Sequence, residues 1–272
     1  MPGAGPSRKT VLRLFPEPAA RLAAEDVCGD VSFPVPDVPR RPYVVINMVA
    51  SLDGRVSVGG KAGSIGGPAD RALMRALRAQ ADAVMTGAGT LRAEKLSLSV
   101  PEHLARVRKA RGLRSQPLSV IVTTTGDVPL RTNLLGSSPD GLLVLASPAS
   151  PEVRLAALSS CALIETVPED RASRGSRLDL SRALEILKDR YGIDVLLVEG
   201  GPALNHALVS SGLADELFLT LAPKLLGGEK PGALTMLEGP PLPPSRGMGS
   251  KLVSVHLSGD ELFLRYALSS EK

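Results

Sequence analysis

Short apolar segments alternate with amphipathic segments along most of the chain. The first apolar segment lies in "RPYVVINMVASLDG" (41–54), and its unbroken apolar run is typical of a strand that is covered on both faces. In "GPADRALMRALRAQA" (67–81), Leu73 and Leu77 lie four positions apart, which predicts a helix with Pro68 in its first turn. The pattern therefore changes from strand to helix within one short unit.

The same alternation continues to the end of the chain. Further strands are predicted at 81–89, 118–126, 142–147, 162–167, 195–199 and 215–223, with helices at 151–160, 178–192 and 202–212. The last apolar stretch (251–268) is interrupted by Ser258-Gly259-Asp260, which is typical of a hairpin turn. The pattern predicts an α/β fold of three layers: a mostly parallel central sheet, helices on both of its faces, and a C-terminal antiparallel hairpin.

The segment before residue 41 has a different character. Residues 1–40 are rich in proline and interrupted by charges, so we expect an extended or partly ordered arm there and a single domain over 41–272. Arg13 breaks the one apolar stretch of this segment, and a signal peptide is not expected. No apolar run approaches the roughly 18 to 20 residues of a membrane span, so the expectation is a cytoplasmic protein with no membrane contact.

Composition narrows the range of partners. Lys and Arg number 32 against 28 Asp and Glu, a formal net charge of +4, which favours an anionic ligand. Trp is absent and aromatic residues make up 3% of the chain, so side chains that stack on bases are scarce. We therefore expect a small phosphorylated ligand and no nucleic acid. The basic stretch "RVRKARGLR" (106–114) is interpreted as a solvated helix face.

Two predicted strands end in glycines, in "ADAVMTGAGT" (81–90) and "VLLVEGGPAL" (195–204). Ligands of parallel α/β sheets bind at the carboxyl ends of strands, and a following helix N-terminus offers free N–H groups to a phosphate. Together the two ends could cradle a nucleotide. The Gly87-x-Gly89 pair lacks the third glycine of the dinucleotide fingerprint, and no P-loop sequence is present. The alternative is that these glycines only allow tight turns.

Glu199 is a carboxylate at the end of an apolar strand. Such an acid loses solvation, which is tolerated where it binds a ligand or handles a proton. The alternative is a helix cap or an ion pair with a nearby Arg or Lys. Asp53, in "SLDG", is interpreted as a turn residue. His103, His206 and His256 are scattered without metal-ligand spacing, so no metal is expected.

Three ordered motifs carry a family resemblance. "RPYVVINMVASLDGRV", "RALRAQADAVMTGAGTLRAE" and "VLLVEGGPALNHALVSSGLADELFLTLAPKLLGG" together resemble the pyrimidine reductase of riboflavin biosynthesis, a family with a dihydrofolate reductase-like fold. The resemblance covers roughly residues 41–268. The deaminase half of the bifunctional bacterial versions has no counterpart here, so the chain looks like the reductase alone.

The resemblance implies a reaction and a set of site residues. In the family, NADPH delivers hydride to C1′ of a ribosylaminopyrimidine 5′-phosphate and converts the ribosyl group to ribityl, without a metal. The acids implied in catalysis are Glu199 and Glu94. The implied cofactor contacts are Val49, Ser64, Gly87, Thr90, Glu94, Thr124, Gly200, Gly201, Pro202, Ala203 and Leu204. The implied substrate contacts are Asn47, Ala62, Arg78, Leu98 and Glu199.

The chain also departs from the family pattern. Pro101 stands where an arginine is expected to hold the substrate phosphate, and the compensating candidates are Lys95, Arg106 and Arg108. Asn47 replaces the bacterial lysine. The substrate therefore stays open: another pterin or pyrimidine such as dihydrofolate is a second possibility, and a nucleotide-binding module without turnover is a third. Family members are commonly dimers, so a homodimer is expected, with 215–223 and the loop after it as candidate interface.

Overall fold

The computed structural model describes residues 10–23, 33, 40–57, 64–94, 96–129, 139–170, 178–228, 233–242 and 249–269. Within these ranges the strands are β1 (Thr10–Phe15), β2 (Ala19–Ala23), β3 (Tyr43–Ser51), β4 (Ala83–Gly87), β5 (Leu118–Thr123), β6 (Leu142–Ala146), β7 (Leu163–Thr166), β8 (Val195–Val198), β9 (Glu216–Ala222), β10 (Gly249–Ser258) and β11 (Glu261–Ser269). The helices are α1 (Pro68–Gln80), α2 (Ala88–Ala93), α3 (Glu102–Ala110), α4 (Glu152–Ser159), α5 (Leu180–Tyr191) and α6 (Pro202–Ser210).

All of these strands form one sheet. Its order is β2-β1-β10-β11-β9-β3-β8-β4-β5-β6-β7. The strands from β9 to β7 in this order pair in parallel, whereas β11, β10, β1 and β2 add antiparallel pairs at one end. Consecutive parallel strands are connected through helices, so the carboxyl ends of β3, β8, β4 and β5 lie at the same edge.

The core lies on both faces of the sheet. One apolar cluster joins α1, α2 and α4 to strand residues such as Val45, Val84 and Leu197. The second joins α5 and α6 to the opposite face, through residues such as Met85 and Val198. Because neighbouring strand residues point to opposite faces, each buried strand serves both clusters. The fold class predicted from the sequence, with three layers and a C-terminal hairpin, is confirmed.

Local signals end the elements where the sequence predicts. α5 begins after Asp179, whose carboxylate accepts from the N–H of Arg182, and ends at Gly192, which has φ 64°. The left-handed conformation at such a C-terminal residue favours glycine. Gly259, in the turn between β10 and β11, has φ 58°, so this hairpin also uses its glycine in the left-handed region.

Part of the segment expected to be an arm belongs to the sheet. β1 pairs with β10, and β2 pairs with β1 at the outer edge. Leu12, Leu14 and Phe15 of β1 are exposed. The division of the chain into an arm and a reductase domain at residue 41 stays a prediction.

The interpretation of 106–114 as a solvated helix face is wrong for one residue. Arg108 of α3 is only 1% exposed. Its Nη1 donates to the carbonyls of Arg78, Ala79 and Ala81 at the end of α1, and its Nε to that of Arg114. These carbonyls lack helical partners, so the buried guanidinium closes the C-terminus of α1. Burial lowers the pKa of Arg108.

Candidate active site

Two glycine-containing strand ends meet at the carboxyl edge of the sheet. β4 and β8 are parallel neighbours, and beyond them the N–H of Gly87 donates to the carbonyl of Gly200 at 3.0 Å. Gly200 has φ 81°, and the peptide bond between Gly200 and Gly201 is cis. α2 and α6 both begin at this point. The two stretches that the sequence singled out are therefore in direct contact.

Gly201 packs against the side chain of Thr90 so closely that only glycine fits at this position. A Cβ atom at this position would lie 2.6 Å from Oγ1 of Thr90, closer than real contacts permit. No side chain caps α6, whose first turn is Pro202-Ala203-Leu204. Proline has no N–H, so the backbone donors of Ala203 and Leu204 are available at the edge. Bare backbone beside a helix N-terminus is the arrangement that binds phosphate groups in α/β proteins.

Glu199 forms a buried ion pair with Arg78. Nε of Arg78 donates to one carboxylate oxygen at 2.6 Å, and Nη2 donates to the other at 2.6 Å. The side chains are 4% and 8% exposed, respectively. The backbone N–H of Glu199 donates to the carbonyl of Met85, so the acid continues the pairing of β8 with β4. The ion pair that the sequence left open as an alternative is present, and it joins the two residues expected to bind substrate.

The rest of the Arg78 guanidinium is also occupied. Nη1 donates to the carbonyls of Ser97 at 2.7 Å and Ser99 at 3.1 Å, and Nη2 contacts the sulfur of Met74 at 3.6 Å. With the two bonds to Glu199, these contacts use all five N–H hydrogens of an arginine. The geometry makes Arg78 an anchor that ties the 97–99 segment to the strand end. Its expected direct contact with substrate stays a prediction.

Asn47 and Val49 lie on β3, which is the parallel neighbour of β8. Both are half-buried. Side chains alternate along a strand, and Val45 belongs to the same cluster as Leu197, so Asn47, Val49 and Glu199 share the face covered by α1. The expected substrate and cofactor contacts on β3 and β8 are thus brought together.

Asp70 belongs to this face and was missed by sequence reasoning. It lies in the first turn of α1. Burial raises the pKa of its carboxyl to about 6, and the charges of Glu261 and Glu199 act in the same direction, against a hydrogen bond from Thr220 and the charge of Arg71. The available signal was an acid directly after the glycines and proline of "GGPAD", which reads equally well as an ordinary helix start.

Three further expected cofactor contacts lie next to α2, β5 and α1 in the chain. Glu94 ends α2, with its N–H bonded to the carbonyl of Thr90, and its side chain is partly exposed. Thr124 follows β5, one strand beyond β4. Ser64 lies before α1, and its carbonyl accepts from Nζ of Lys224 at 2.6 Å. The roles expected for these three residues stay predictions.

Two expected substrate contacts have other outcomes. The side chain of Leu98 is 1% exposed and packs in the core with α1 and α2, and its expected contact with substrate stays a prediction. Ala62 lies outside the described residues.

Of the three residues expected to compensate for Pro101, the structure describes Arg106 and Arg108. Pro101 is the N-terminal cap of α3. The guanidinium of Arg108 donates to carbonyls at the end of α1, so it is not available to bind the substrate phosphate in place of the missing arginine. Arg106 is exposed on the same helix, and Lys95 lies outside the described residues.

Asp53 is a structural residue, as the sequence indicates. Its carboxylate accepts from Oγ of Ser51 at 2.5 Å and from the N–H groups of Leu226 and Gly227. These hydrogen bonds, that from Ser51 first, hold its pKa at about 2. Over the described ranges, no group of three or more His, Cys, Asp or Glu side chains could hold a metal ion. Nor is any helix there long and apolar enough to cross a bilayer.

The fold defines a class: α/β proteins with a mostly parallel sheet, in which ligands generally bind at the carboxyl ends of the strands. Within that class, the chain belongs to the RibD C-terminal domain family, whose model matches residues 42–256. The resemblance proposed from the three motifs is thereby confirmed.

Named relatives agree with this assignment. The chain is 35% identical over 190 residues to the 2,5-diamino-6-ribosylamino-4(3H)-pyrimidinone 5′-phosphate reductase of Archaeoglobus fulgidus, covering 69% of this chain and 83% of that protein. It is 32% identical over 199 residues to the protein of the same name from Methanothermobacter thermautotrophicus, covering 73% and 85%. The structure of Acinetobacter baumannii RibD matches with a TM-score of 0.68 at 27% identity, covering 84% of this chain and 58% of that one.

Proposed function

We propose that this protein is an NADPH-dependent reductase that converts a ribosylaminopyrimidine 5′-phosphate to its ribitylamino form. Membership of the RibD C-terminal domain family and the names of the relatives support a reductase of riboflavin biosynthesis. The single observation that carries the proposal is the contact between the two glycine stretches, which sets the uncapped N-terminus of α6 beside the Arg78–Glu199 pair. A cofactor and a substrate could thus lie side by side.

The residues present fit a nicotinamide dinucleotide. Gly201 lets the backbone after β8 pack closely against Thr90, and the uncapped first turn of α6 offers backbone N–H donors to a diphosphate. Gly87 and Thr90 would form the opposite wall. When bound, the dinucleotide supplies the hydride for C1′ of the substrate.

The chain's own residues bind and orient the substrate. Glu199, held by Arg78, is a fixed acceptor for substrate hydroxyl or amino groups, because its carboxylate has lone pairs beyond the two that Arg78 engages. Asn47 on the adjacent strand supplies both a donor and an acceptor. Preorganised groups of this kind hold the reacting carbon in place without a further loss of conformational entropy in the protein.

The substrate favoured by the relatives is the diaminopyrimidinone phosphate, since that name stands on both archaeal proteins. Asn47 and Pro101 occupy positions where the bacterial pattern has basic residues, and we infer that the substrate phosphate is held differently here. Arg106, exposed on α3, is one residue that could contribute.

The test is the loss of NADPH absorbance with purified protein in three parallel reactions: the diaminopyrimidinone phosphate, the corresponding aminouracil phosphate, and dihydrofolate. We expect turnover of a ribosylamino phosphate and none of dihydrofolate. Glu199→Gln is the control and should lose most of the rate. NADPH binding without turnover of any substrate would contradict the proposal and favour a binding module.

Three further properties are proposed on the same basis. We expect a homodimer, with β9 and the loop after it at the interface, which the mass in solution would test. We expect the protein to act in the cytoplasm, with the biosynthetic pathway of its relatives. No role for nucleic acid is proposed, given an aromatic content of 3%.

A further inference from the structure

Asp70 is a half-buried acid that the reaction described so far does not use. It stands in the first turn of α1 and accepts a hydrogen bond from Thr220 of β9. Thr220, which donates to its carboxylate, is 1% exposed and lies opposite Val49 in the β3–β9 register. Val49 and Asn47 are on the same face of β3. Asp70 therefore borders the region assigned to the cofactor and substrate.

The backbone around Asp70 is shaped to admit its carboxylate. A Cβ at Gly66 would overlap the Asp70 side chain, and a Cβ at Gly67 would overlap the carboxylate of Glu261. Glu261 itself accepts from the N–H of Gly67 at 2.6 Å. The two glycines before α1 thus let two acids approach the same short stretch of backbone.

The charged groups around Asp70 come from four elements. Glu261 on β11 and Glu199 after β8 are negative, and Arg71 on α1 is positive. Lys224, which follows β9, directs its ammonium to the carbonyls of Ser64 and Ile65. Burial is the first cause of the raised pKa of Asp70, and the two acids add to it. The proton is thus retained to about pH 6, close to the range in which general acids work.

The proposed reaction needs a proton at a defined atom. For the ribosylamine to open, the C1′–O4′ bond breaks, its electrons go to O4′, and the nitrogen lone pair forms a C1′–N double bond. O4′ must take up one proton in this step. Hydride then adds to C1′ and the double bond returns to a single bond, so each turnover consumes one hydride and one proton.

Glu199 is poorly suited to supply that proton, because both of its oxygens accept from the guanidinium of Arg78. We propose that Asp70 is the general acid that protonates O4′ of the ribosyl group, with Thr220 orienting its carboxyl. Asp70 regains the proton from solvent after each turnover. The inference rests on the proposed reductase function and assigns the acid within that same site.

A structural role for Asp70 must be separated from a catalytic one, since a carboxylate in the first turn also stabilises a helix. Asp70→Asn keeps the size of the side chain and cannot give up a proton. We expect it to lower kcat by about 100-fold or more. Because Asp70 is assigned to proton transfer alone, the NADPH affinity of the variant, measured by fluorescence, should stay within about twofold of the wild type.

The pH profile gives the discriminating readout. In the wild type, kcat/KM should fall as pH rises through the ionisation of Asp70. This fall, the alkaline limb of the pH profile, should be absent in Asp70→Asn. Thr220→Val removes a hydrogen bond that favours the anion, so it should move the limb to higher pH. Two results would overturn the proposal. One is an Asp70→Asn enzyme that keeps more than about a third of the wild-type kcat, because removing a general acid costs far more than that. The other is a pH dependence of kcat/KM in Asp70→Asn that equals that of the wild type.

A binding measurement keeps the inference separate from the reductase assignment. Ribose 5-phosphate is titrated calorimetrically into the NADP⁺ complex near pH 7, in two buffers of different ionisation enthalpy. We expect proton uptake on binding in the wild type and none in Asp70→Asn. Equal uptake in both proteins, or no binding to the wild type, would overturn the role of Asp70. If the wild type takes up a proton as expected but turns over no pyrimidine, the role of Asp70 stands and only the proposed substrate is contradicted.

Discussion

Arg78 and Glu199 lie 121 positions apart in the sequence and form a bidentate ion pair at the carboxyl edge of the sheet. The guanidinium of Arg78 also holds the carbonyls of Ser97 and Ser99. One side chain of α1 therefore fixes the end of β8 and the segment between α2 and α3. We expect this pair to set both the stability of the protein and the geometry of its site.

Arg78→Ala should lower the free energy of unfolding by about 3 kcal/mol, because it leaves a buried carboxylate without its partner. Urea unfolding at neutral pH measures the change. Arg75→Ala is the matched control, since Arg75 is exposed on the same helix, and it should change stability by no more than about 0.5 kcal/mol. If the two variants are equally stable, the pair contributes nothing measurable.

Gly201→Ala should weaken NADPH binding by about tenfold or more, because the added methyl group overlaps Thr90 and distorts the cradle. Fluorescence titration of NADPH is the measurement. Gly141→Ala serves as the control, since a Cβ at Gly141 meets no atom within 4 Å, and its affinity should match the wild type. Wild-type affinity in Gly201→Ala would mean that the cofactor lies elsewhere.

Asp70 should make stability depend on pH. Its pKa is raised to about 6 in the folded protein, above the roughly 3.9 of an unfolded chain, so the folded state binds more protons in this interval. The favourable contribution is complete below about pH 4 and is lost as pH rises through 6. Asp70→Asn should therefore be more stable than the wild type at pH 8, by about 2 kcal/mol, and the gap should close near pH 4. A constant gap at both pH values would contradict this.

Arg108→Ala should be among the most destabilising changes on α3. It leaves the carbonyls of Ala79 and Ala81 without their donor, and each buried unsatisfied group costs about 1 to 3 kcal/mol. Thermal unfolding checks the loss, with Arg106→Ala, exposed on the same helix, as the control. Because Arg78 lies in the last turn of α1, we also expect lower activity in Arg108→Ala. A melting temperature equal to that of the control would show that water replaces the guanidinium.

Much of the fold could be predicted because its elements carry local signals. Apolar runs mark the strands, Pro68 starts α1, and Gly192 ends α5. The candidate site was partly predictable for the same reason, because the glycines at two strand ends can be identified from the local sequence alone. The failures were residues whose roles depend on distant neighbours. Arg108 reads as one cation among several, and Asp70 as an ordinary helix start, until the fold surrounds them.

The sequence by itself determined the fold class and most of the strands and helices from residue 41 onward, because periodicity and turn chemistry are short-range properties. Only the tertiary structure decided which charges are paired and which are isolated. The solvation of a side chain depends on what packs over it from remote parts of the chain. That packing set Arg78 against Glu199, buried Arg108 under α1, and left Asp70 with a raised pKa beside Thr220.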